Sequence, residues 1–123
     1  MRPEDIEREM SKAFYAQGLP RGEINVVEKE TGFLCRYYAP RQKLEYIFMV
    51  NPLARVSSKA SILSSVPGMG RRMCRAREAL CKKLGIQEII LEYVVPRAAG
   101  FWAREGYELR RVRDHFEGWK ELD

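Results

Sequence analysis

Residues 67–85 have the sequence PGMGRRMCRAREALCKKLG, in which a glycine-rich turn precedes an amphipathic segment that ends in Leu-Gly. Apolar side chains recur at helical spacing from Met69 to Leu84, and basic residues fill most of the other positions. Glycine directly after the last turn is a common end of a helix. The stretch therefore predicts a basic helix that starts after Gly68 and ends at Gly85.

The turn before this helix is suited to binding an anion. The start of a helix exposes backbone N–H groups that have no intrahelical partner, and these groups attract phosphate. Here they are the amides of Gly68, Met69, Gly70, Arg71 and Arg72. The turn lacks the Gly-Lys-Ser/Thr of a nucleotide P-loop and the third glycine of a dinucleotide fingerprint. A G-x-G turn also occurs as a plain connection, so the glycines alone leave both interpretations open.

The segments before the basic helix predict a first helix and then an antiparallel sheet. Residues 3–17 carry apolar side chains at helical spacing, and Gly18 follows where a helix end is expected. Residues 23–66 contain β-branched and aromatic runs separated by short turn signals. Short turns join antiparallel neighbours, so we expect these runs to form a meander.

The segments after the basic helix complete the predicted fold. The run IQEIILEYVV has few polar breaks, which predicts a central strand buried on both faces. A short helix is expected between Pro96 and Gly106, and YELRRV and FEGWKEL predict terminal strands. This order of elements indicates an α+β (mixed α/β) fold. The length of 123 residues fits a single domain over residues 1–123.

Composition and charge narrow the class of protein. Hydrophobic residues make up 46% and charged residues 32% of the chain, which is typical of a globular protein. No apolar run is long enough to cross a bilayer and the first residues are charged, so we expect a cytoplasmic protein without membrane contact. The net charge of +5 favours anionic ligands, and the basic residues are concentrated in the predicted helix.

The cysteine and histidine residues do not predict a metal site. Cys35, Cys74 and Cys81 lack the spacing of metal ligands, and His115 is the single histidine. Zinc sites combine several such residues at short spacing. We therefore predict neither a disulfide framework nor a metal, and we interpret the cysteines as small apolar core residues.

The C-terminal half combines several motifs at set spacings. A glycine turn at residues 65–70 opens the basic helix, Leu-Gly at 84–85 closes it, and Phe-Trp at 101–102 and Gly-Tyr at 106–107 follow the next strand. Together these motifs resemble the GNAT superfamily of acyl-CoA-dependent N-acyltransferases, which has a Q/R-x-x-G-x-G/A turn, Leu-Gly, Phe-Tyr and Gly-Phe or Gly-Tyr in this order. Agreement at several spacings is more specific than two glycines alone.

The resemblance implies both a fold and a cofactor. The fold is a mostly antiparallel central sheet with helices on both faces, splayed between the strands at residues 57–65 and 86–94. The turn amides would hold the pyrophosphate of acetyl-CoA, and the pantetheine arm would lie in the splayed gap. The residues that the resemblance assigns to cofactor binding are Leu63, Ser64, Ser65, Val66, Gly68, Met69, Gly70, Arg71, Arg72 and Trp102.

Two positions depart from the family pattern. Trp102 stands where many relatives have a tyrosine that protonates the departing thiolate, and an indole N–H is not a practical acid at neutral pH. Tyr93 and Tyr107 are therefore alternative catalytic acids, and core packing is the alternative role of Trp102. Ser65 stands where the family has Gln or Arg, which removes one side-chain contact to the coenzyme.

The identity of the general base is also open. The strand RVSSKASILSS before the turn has no Asp or Glu, where a relative can carry the base for the substrate ammonium. Only the neutral amine attacks a thioester, so some group must accept that proton. The candidates are Glu45, Glu92, His115 and an ordered water. Alternatively, the Glu92 carboxylate binds to backbone or to an arginine and has no part in catalysis. His115 is alternatively a residue of a surface turn.

Three functions are compatible with these residues. The leading hypothesis is an acetyl-CoA-dependent N-acetyltransferase that acts on a primary amine of an unidentified acceptor, as a monomer or a homodimer. The second is a non-catalytic coenzyme A-binding or regulatory module on the same fold. The third and least favoured is nucleic-acid binding through the basic helix and the aromatic residues Tyr37, Tyr38, Trp102 and Trp119.

Overall fold

In the computed structural model of the protein, which describes residues 1–123, seven strands form one sheet and three α-helices pack against it. The helices are α1 (Pro3–Ala16), α2 (Met69–Lys83) and α3 (Ala99–Arg104). The strands are β1 (Glu23–Lys29), β2 (Gly32–Ala39), β3 (Leu44–Asn51), β4 (Val56–Ser64), β5 (Glu88–Val94), β6 (Glu108–Val112) and β7 (His115–Glu121). Short 3-10 helices at Pro40–Gln42 and Pro96–Ala98 lie between β2 and β3 and just before α3.

The strands lie side by side in the order β1-β2-β3-β4-β5-β7-β6. All neighbours are antiparallel except β4 and β5, which are parallel and are joined through α2. The connections explain this arrangement, because a short turn reverses the chain whereas a parallel neighbour needs a long crossover. The predicted α+β fold with a mostly antiparallel sheet is confirmed.

All three helices lie on the same face of the sheet. The crossovers through α2 and α3 both join parallel strands and advance in the same direction across the sheet, so right-handed connections place both helices on one side. On that side Phe14 of α1 packs its ring 5.1 Å from the ring of Tyr37 on β2. The expectation of helices on both faces is therefore wrong. None of the helices has the length and hydropathy that crossing a bilayer requires.

Burial alternates along the strands because only one face is covered by helices. On β2 and β3 the fully or nearly fully buried side chains face the helices, whereas Ile47 and Met49 are only half-buried on the other side, which we call the open face. On β5 Leu91 is buried, but Ile90 is half-buried and Glu92 is exposed on the open face. The expectation that β5 is buried on both faces is wrong, since no helix covers the open face.

Candidate active site

Strands β4 and β5 separate shortly after they meet. They pair in parallel only at Val56–Glu88 and Ser57–Ile89. On its other side β4 pairs with β3 from Leu44–Ser64 to Asn51–Val56. Beyond Ser57, the backbone groups of β4 that point towards β5 therefore have no strand partner. The predicted splay of the sheet around the basic helix is confirmed, and we call this opening the gap.

A bulge in β4 accounts for the start of the gap. The register between β3 and β4 shifts between Ile47 and Met49, and Lys59 adopts a left-handed φ of 50°. A bulge bends its strand and interrupts pairing, and here it follows the last residue that β4 shares with β5. From the β5 side, the Glu92 carboxylate accepts a hydrogen bond from the Lys59 backbone N–H through Oε1 at 3.2 Å. Glu92 thus lies at the narrow end of the gap.

The glycine turn lies at the wide end of the gap and precedes α2. Gly68 is the N-cap of α2 with a φ of 83°, a conformation that favours glycine. The Met69 amide donates to the Val66 carbonyl and the Arg72 amide donates to the Gly68 carbonyl, each at 3.2 Å. The amides of Gly68, Gly70 and Arg71 donate to no backbone carbonyl. Three of the five amides expected at the turn are therefore free to bind an anion.

A hollow of about 310 Å³ lies between the end of β4, the glycine turn and α3. It is lined by Ile62, Ser64, Val66, Gly68, Gly70, Arg71 and Phe101. A Cβ atom at Gly70 would lie 3.8 Å from the Phe101 ring, so the glycine backbone forms part of the wall. The hollow has free N–H donors at one end and an apolar wall beside them, which suits a phosphate attached to an organic arm.

Sequence reasoning did not assign Phe101 to binding. Its signal is the Phe-Trp pair at 101–102, of which the predicted cofactor residues include only Trp102. Trp102 instead is 6% exposed and packs edge-on against Phe101 and Tyr107, with ring centroids 5.1 Å apart in each case. Trp102 thus packs in the core, which is the alternative role stated for it above. Phe101 lines the hollow.

The arginines of the turn contact protein groups. Arg71 Nε lies 3.2 Å from a carboxylate oxygen of the nearly buried Glu105, and Arg75 Nε lies 4.0 Å from the other oxygen. Arg72 donates through Nη1 to the Gly18 carbonyl at 3.4 Å. The backbone amides are therefore the groups of the turn that have no protein partner.

The candidate acids and bases fall into two groups. Glu92 lies at the gap, and the exposed ring of Tyr93 beside it stacks on His115 with centroids 4.2 Å apart. Tyr107 is buried beneath α3, and burial raises the pKa of its hydroxyl above the ordinary tyrosine value. The structure therefore stacks Tyr93 on His115, directs the Glu92 carboxylate to Lys59 at the gap, and buries Tyr107.

Glu45 and two of the predicted cofactor residues lie elsewhere on the sheet. Glu45 pairs with Leu63 across β3 and β4, about 13 Å along the strand from Lys59. Its carboxylate accepts two hydrogen bonds from Arg36 at 2.6 and 2.8 Å. Leu63 and Ser65 line a separate hollow with Tyr38. Contacts of these residues with a bound coenzyme would therefore come from their backbone.

Comparisons with known proteins agree with this geometry at the level of the fold. No protein-family model matches the sequence, and no curated protein is significantly similar to it. Among solved structures, a candidate N-acetyltransferase from Lactobacillus plantarum superposes with a TM-score of 0.62 at 14% identity over 99% of this chain and 94% of its own. A candidate acyl-CoA N-acyltransferase from Klebsiella pneumoniae has a TM-score of 0.62 at 12% identity over 94% and 90%.

A third solved structure contains coenzyme A. It is the PaiA N-acetyltransferase from Thermoplasma acidophilum in complex with coenzyme A, with a TM-score of 0.58 at 16% identity over 72% of this chain. The superposition spans 60% of the Thermoplasma protein's length. The chain therefore has the fold of the GNAT N-acetyltransferases, as its motifs predicted.

Proposed function

We propose that the protein is an acyl-CoA-dependent N-acyltransferase that transfers an acetyl group from acetyl-CoA to a primary amine. The observation that carries this proposal is the combination of a one-sided gap in the sheet with free amides at its wide end. Gaps inside a sheet leave backbone groups without partners, which costs free energy unless a ligand or water pairs with them. An extended amide-containing arm that ends in phosphates satisfies both features.

The residues of this chain fit such a coenzyme. The amides of Gly68, Gly70 and Arg71 would bind the pyrophosphate at the N-terminus of α2. Unpaired backbone groups of β4 beyond Ser57 would bind the amides of the pantetheine arm. Bound acetyl-CoA would supply an activated acetyl thioester.

The amine acceptor would approach through the open face. On the opposite face α2 and α3 cover the sheet, and Trp102 and Tyr107 are buried there. Glu92, in contrast, is exposed at the narrow end of the gap. We propose that its carboxylate accepts the proton of the substrate ammonium, directly or through a water, so that the neutral amine can attack.

Tyr93 is the best-placed candidate for protonating the departing thiolate. It neighbours Glu92 and is 61% exposed, whereas the Tyr107 hydroxyl is buried. The stack on His115 restricts the position of its ring, since aromatic pairs at this separation attract each other. In this proposal Glu92 takes up a proton before the attack, and Tyr93 delivers one to sulfur when the C–S bond breaks.

A non-catalytic coenzyme A-binding module remains a second candidate. The observation that favours it is the burial of both Trp102 and Tyr107, the aromatic residues at and near the position of the family's acid. The same free amides would then bind coenzyme A without any transfer. Thiol release distinguishes the two functions, because both predict binding but only the enzyme predicts turnover.

Calorimetric titration with acetyl-CoA, coenzyme A and a DNA oligonucleotide tests the proposal, followed by a thiol-release assay with polyamines, amino acids, aminoglycosides and lysine peptides. We expect saturable binding of both coenzymes and acetyl-CoA-dependent thiol release with at least one amine. Binding without release from any acceptor supports the second candidate. Salt-sensitive binding of the oligonucleotide with no response to either coenzyme would contradict both and favour nucleic-acid binding.

A further inference from the structure

Arg77 of α2 is a fully buried cation. It belongs to the basic run that the sequence places on α2, yet its relative exposure is 0%. Its Nε and Nη2 donate to Ser57 Oγ at 3.1 and 2.8 Å, and its Nη1 donates to the Tyr46 hydroxyl at 2.9 Å. No carboxylate lies within 4.0 Å of the guanidinium. A buried charge without a counter-ion costs free energy, so an apolar residue would be the simpler choice for this position.

The hydrogen bonds of Arg77 lead to the narrow end of the gap. Ser57 is the last residue of β4 that pairs with β5. Its hydroxyl accepts the two bonds from Arg77 and donates to the Met49 carbonyl at 2.6 Å, which uses its full hydrogen-bonding capacity. Met49 in turn flanks the register shift between β3 and β4. Arg77 and Ser57 therefore fix β3 and β4 relative to each other at the bulge.

A second contact fixes the same bulge from the other side of β4. The Glu92 carboxylate accepts a hydrogen bond from the amide of Lys59, two residues after Ser57. Without such contacts, β4 and β5 have a competing arrangement in which they continue to pair as ordinary parallel strands. Continued pairing would satisfy the free backbone groups of both strands and would close the gap.

We propose that Arg77 is a positioning residue that, through Ser57, keeps β4 bent away from β5 and thereby holds the coenzyme gap open. This inference rests on the proposed function only for the identity of the ligand. The cation itself does not touch the gap, because its guanidinium lies against the rings of Tyr46 and Phe48 on the helix side of the sheet, at 5.6 and 5.0 Å from their centroids.

The test compares Arg77→Met and Ser57→Ala with Leu80→Ala. Leu80 is also fully buried on α2, so its truncation lowers stability without removing a bond to the bulge. Acetyl-CoA affinity is measured by calorimetry, stability by urea unfolding, and amide exchange along β4 by NMR. We expect Arg77→Met and Ser57→Ala each to weaken acetyl-CoA binding about tenfold, and Leu80→Ala to leave binding of the folded protein within about twofold.

Amide exchange separates positioning from general stability. If the gap closes, amides of residues 59–64 that do not pair with β3 become protected and exchange more slowly, while a merely destabilised protein exchanges faster throughout. Arg77→Lys keeps a donor for Ser57 and should regain part of the affinity. Unchanged affinity in Ser57→Ala and Arg77→Met, or affinity losses that follow stability equally in all variants, would overturn the inference.

These experiments also distinguish a failure of this inference from a failure of the proposed function. If the parent protein binds no acetyl-CoA, the proposed function fails, but slower exchange of the β4 amides in Ser57→Ala still supports the positioning role of Arg77 and Ser57. If the parent binds acetyl-CoA and the β4 amides of Ser57→Ala exchange at the same rate as those of the parent, the positioning role of Arg77 and Ser57 is wrong and the proposed function stands. Should Ser57→Ala fail to fold, because it leaves two donors of the buried Arg77 without a partner, Arg77→Met alone decides, since it removes the charge together with its bonds.

Discussion

The two sides of β4 differ in a way that its sequence does not reveal. Towards β3, the strand pairs from Val56 to Ser64 with one bulge, and towards β5 it pairs only at its first two residues. The same backbone thus serves as an ordinary sheet strand on one side and as a free edge on the other. Because this edge lies inside the sheet, another chain or a new strand cannot easily pair with it. A narrow, extended ligand can reach it.

This difference indicates that the gap is built by specific contacts. Arg77 and Ser57 hold the bulge from the helix side, and Glu92 holds it from β5. The paired side carries the stability of the sheet, while the free side carries the proposed site. Variants at the free side can therefore be compared with matched variants elsewhere in the molecule, from the largest expected effect to the smallest.

The largest effect is expected for Gly70→Glu at the wide end of the gap. A Cβ at this position meets Phe101 and Ser64 at ordinary contact distances, so the fold should persist, and an acidic residue near a helix N-terminus is favourable. The side chain would occupy the hollow and repel phosphate, so we expect acetyl-CoA affinity to fall at least about 100-fold. Calorimetry measures the affinity, and circular dichroism checks the fold.

A matched control adds the same charge elsewhere. Gln87→Glu lies on the exposed segment between α2 and β5 and should change affinity by less than about twofold. A change at Arg77 cannot serve as such a control, because Arg77→Glu would bury a carboxylate in the core. Equal affinity of Gly70→Glu and the parent would mean that the glycine turn is only a connection.

Glu92→Gln is expected to give the next largest effect. The amide oxygen of glutamine can still accept the bond from Lys59, so the gap should keep its shape and acetyl-CoA its affinity. Loss of the proton acceptor should lower kcat about 100-fold, in the usual range for a general base. Glu45→Gln is the reference, since the Glu45 carboxylate on β3 is paired with Arg36 on β2, and the kcat of this variant should stay within about threefold. Similar losses in both variants would exclude Glu92 as a specific base.

A smaller effect is expected for the tyrosines. Tyr93→Phe should lower kcat about tenfold if its hydroxyl protonates the thiolate, because a solvent proton can replace it in part. Tyr107→Phe should leave kcat nearly unchanged, since that hydroxyl is buried and burial raises its pKa. Steady-state thiol release at saturating acetyl-CoA measures both. A larger loss in Tyr107→Phe than in Tyr93→Phe would reverse the assignment.

The smallest effect is expected for pH. It acts on the free energy of unfolding through the buried cysteine thiols on the helix-covered face of the sheet. Burial raises the pKa of the Cys35 and Cys74 thiols to about 12 and that of Cys81 to about 11. A raised folded-state pKa contributes stability that is present below the unfolded-state value near 9 and is lost as pH rises towards the folded-state value. We therefore expect the free energy of unfolding to fall by about 1 kcal/mol per thiol between pH 9 and pH 10.

Urea unfolding at a series of pH values checks this prediction. Replacing Cys81 by Ala removes one titrating thiol and should flatten the decline between pH 9 and pH 10. A stability that is constant up to pH 11 would show that the thiols titrate as freely in the folded protein as in the unfolded chain.

Much of the fold could be predicted from local patterns. The turn at residues 65–70 and the apolar stripe up to Leu84 located α2, and the short turns before Val66 predicted the antiparallel meander. The motifs from residue 65 to Tyr107 predicted the splay, because they recur together in a known fold. Each of these signals depends on residues close in sequence or on a spacing that the chain preserves.

The features that escaped prediction depend on contacts between distant residues. Crossover direction, and not composition, put α2 and α3 on one face, and α1 packs on the same face through Phe14. Arg77 looks like part of a solvated basic helix face, and only the position of Ser57 opposite it shows that it is buried. Glu92 was one of several candidate bases, and its bond to Lys59 crosses a gap that no local pattern defines.

The central claim is that acetyl-CoA binds along the free side of β4 and at the glycine turn. A ¹H–¹⁵N NMR titration of the parent protein with acetyl-CoA tests it directly. We predict the largest shifts at the amides of Gly68, Gly70 and Arg71 and along residues 58–64, with small shifts in β1 and β2. Saturable binding that shifts mainly amides away from the turn and β4, or a folded spectrum that does not change, would contradict the account.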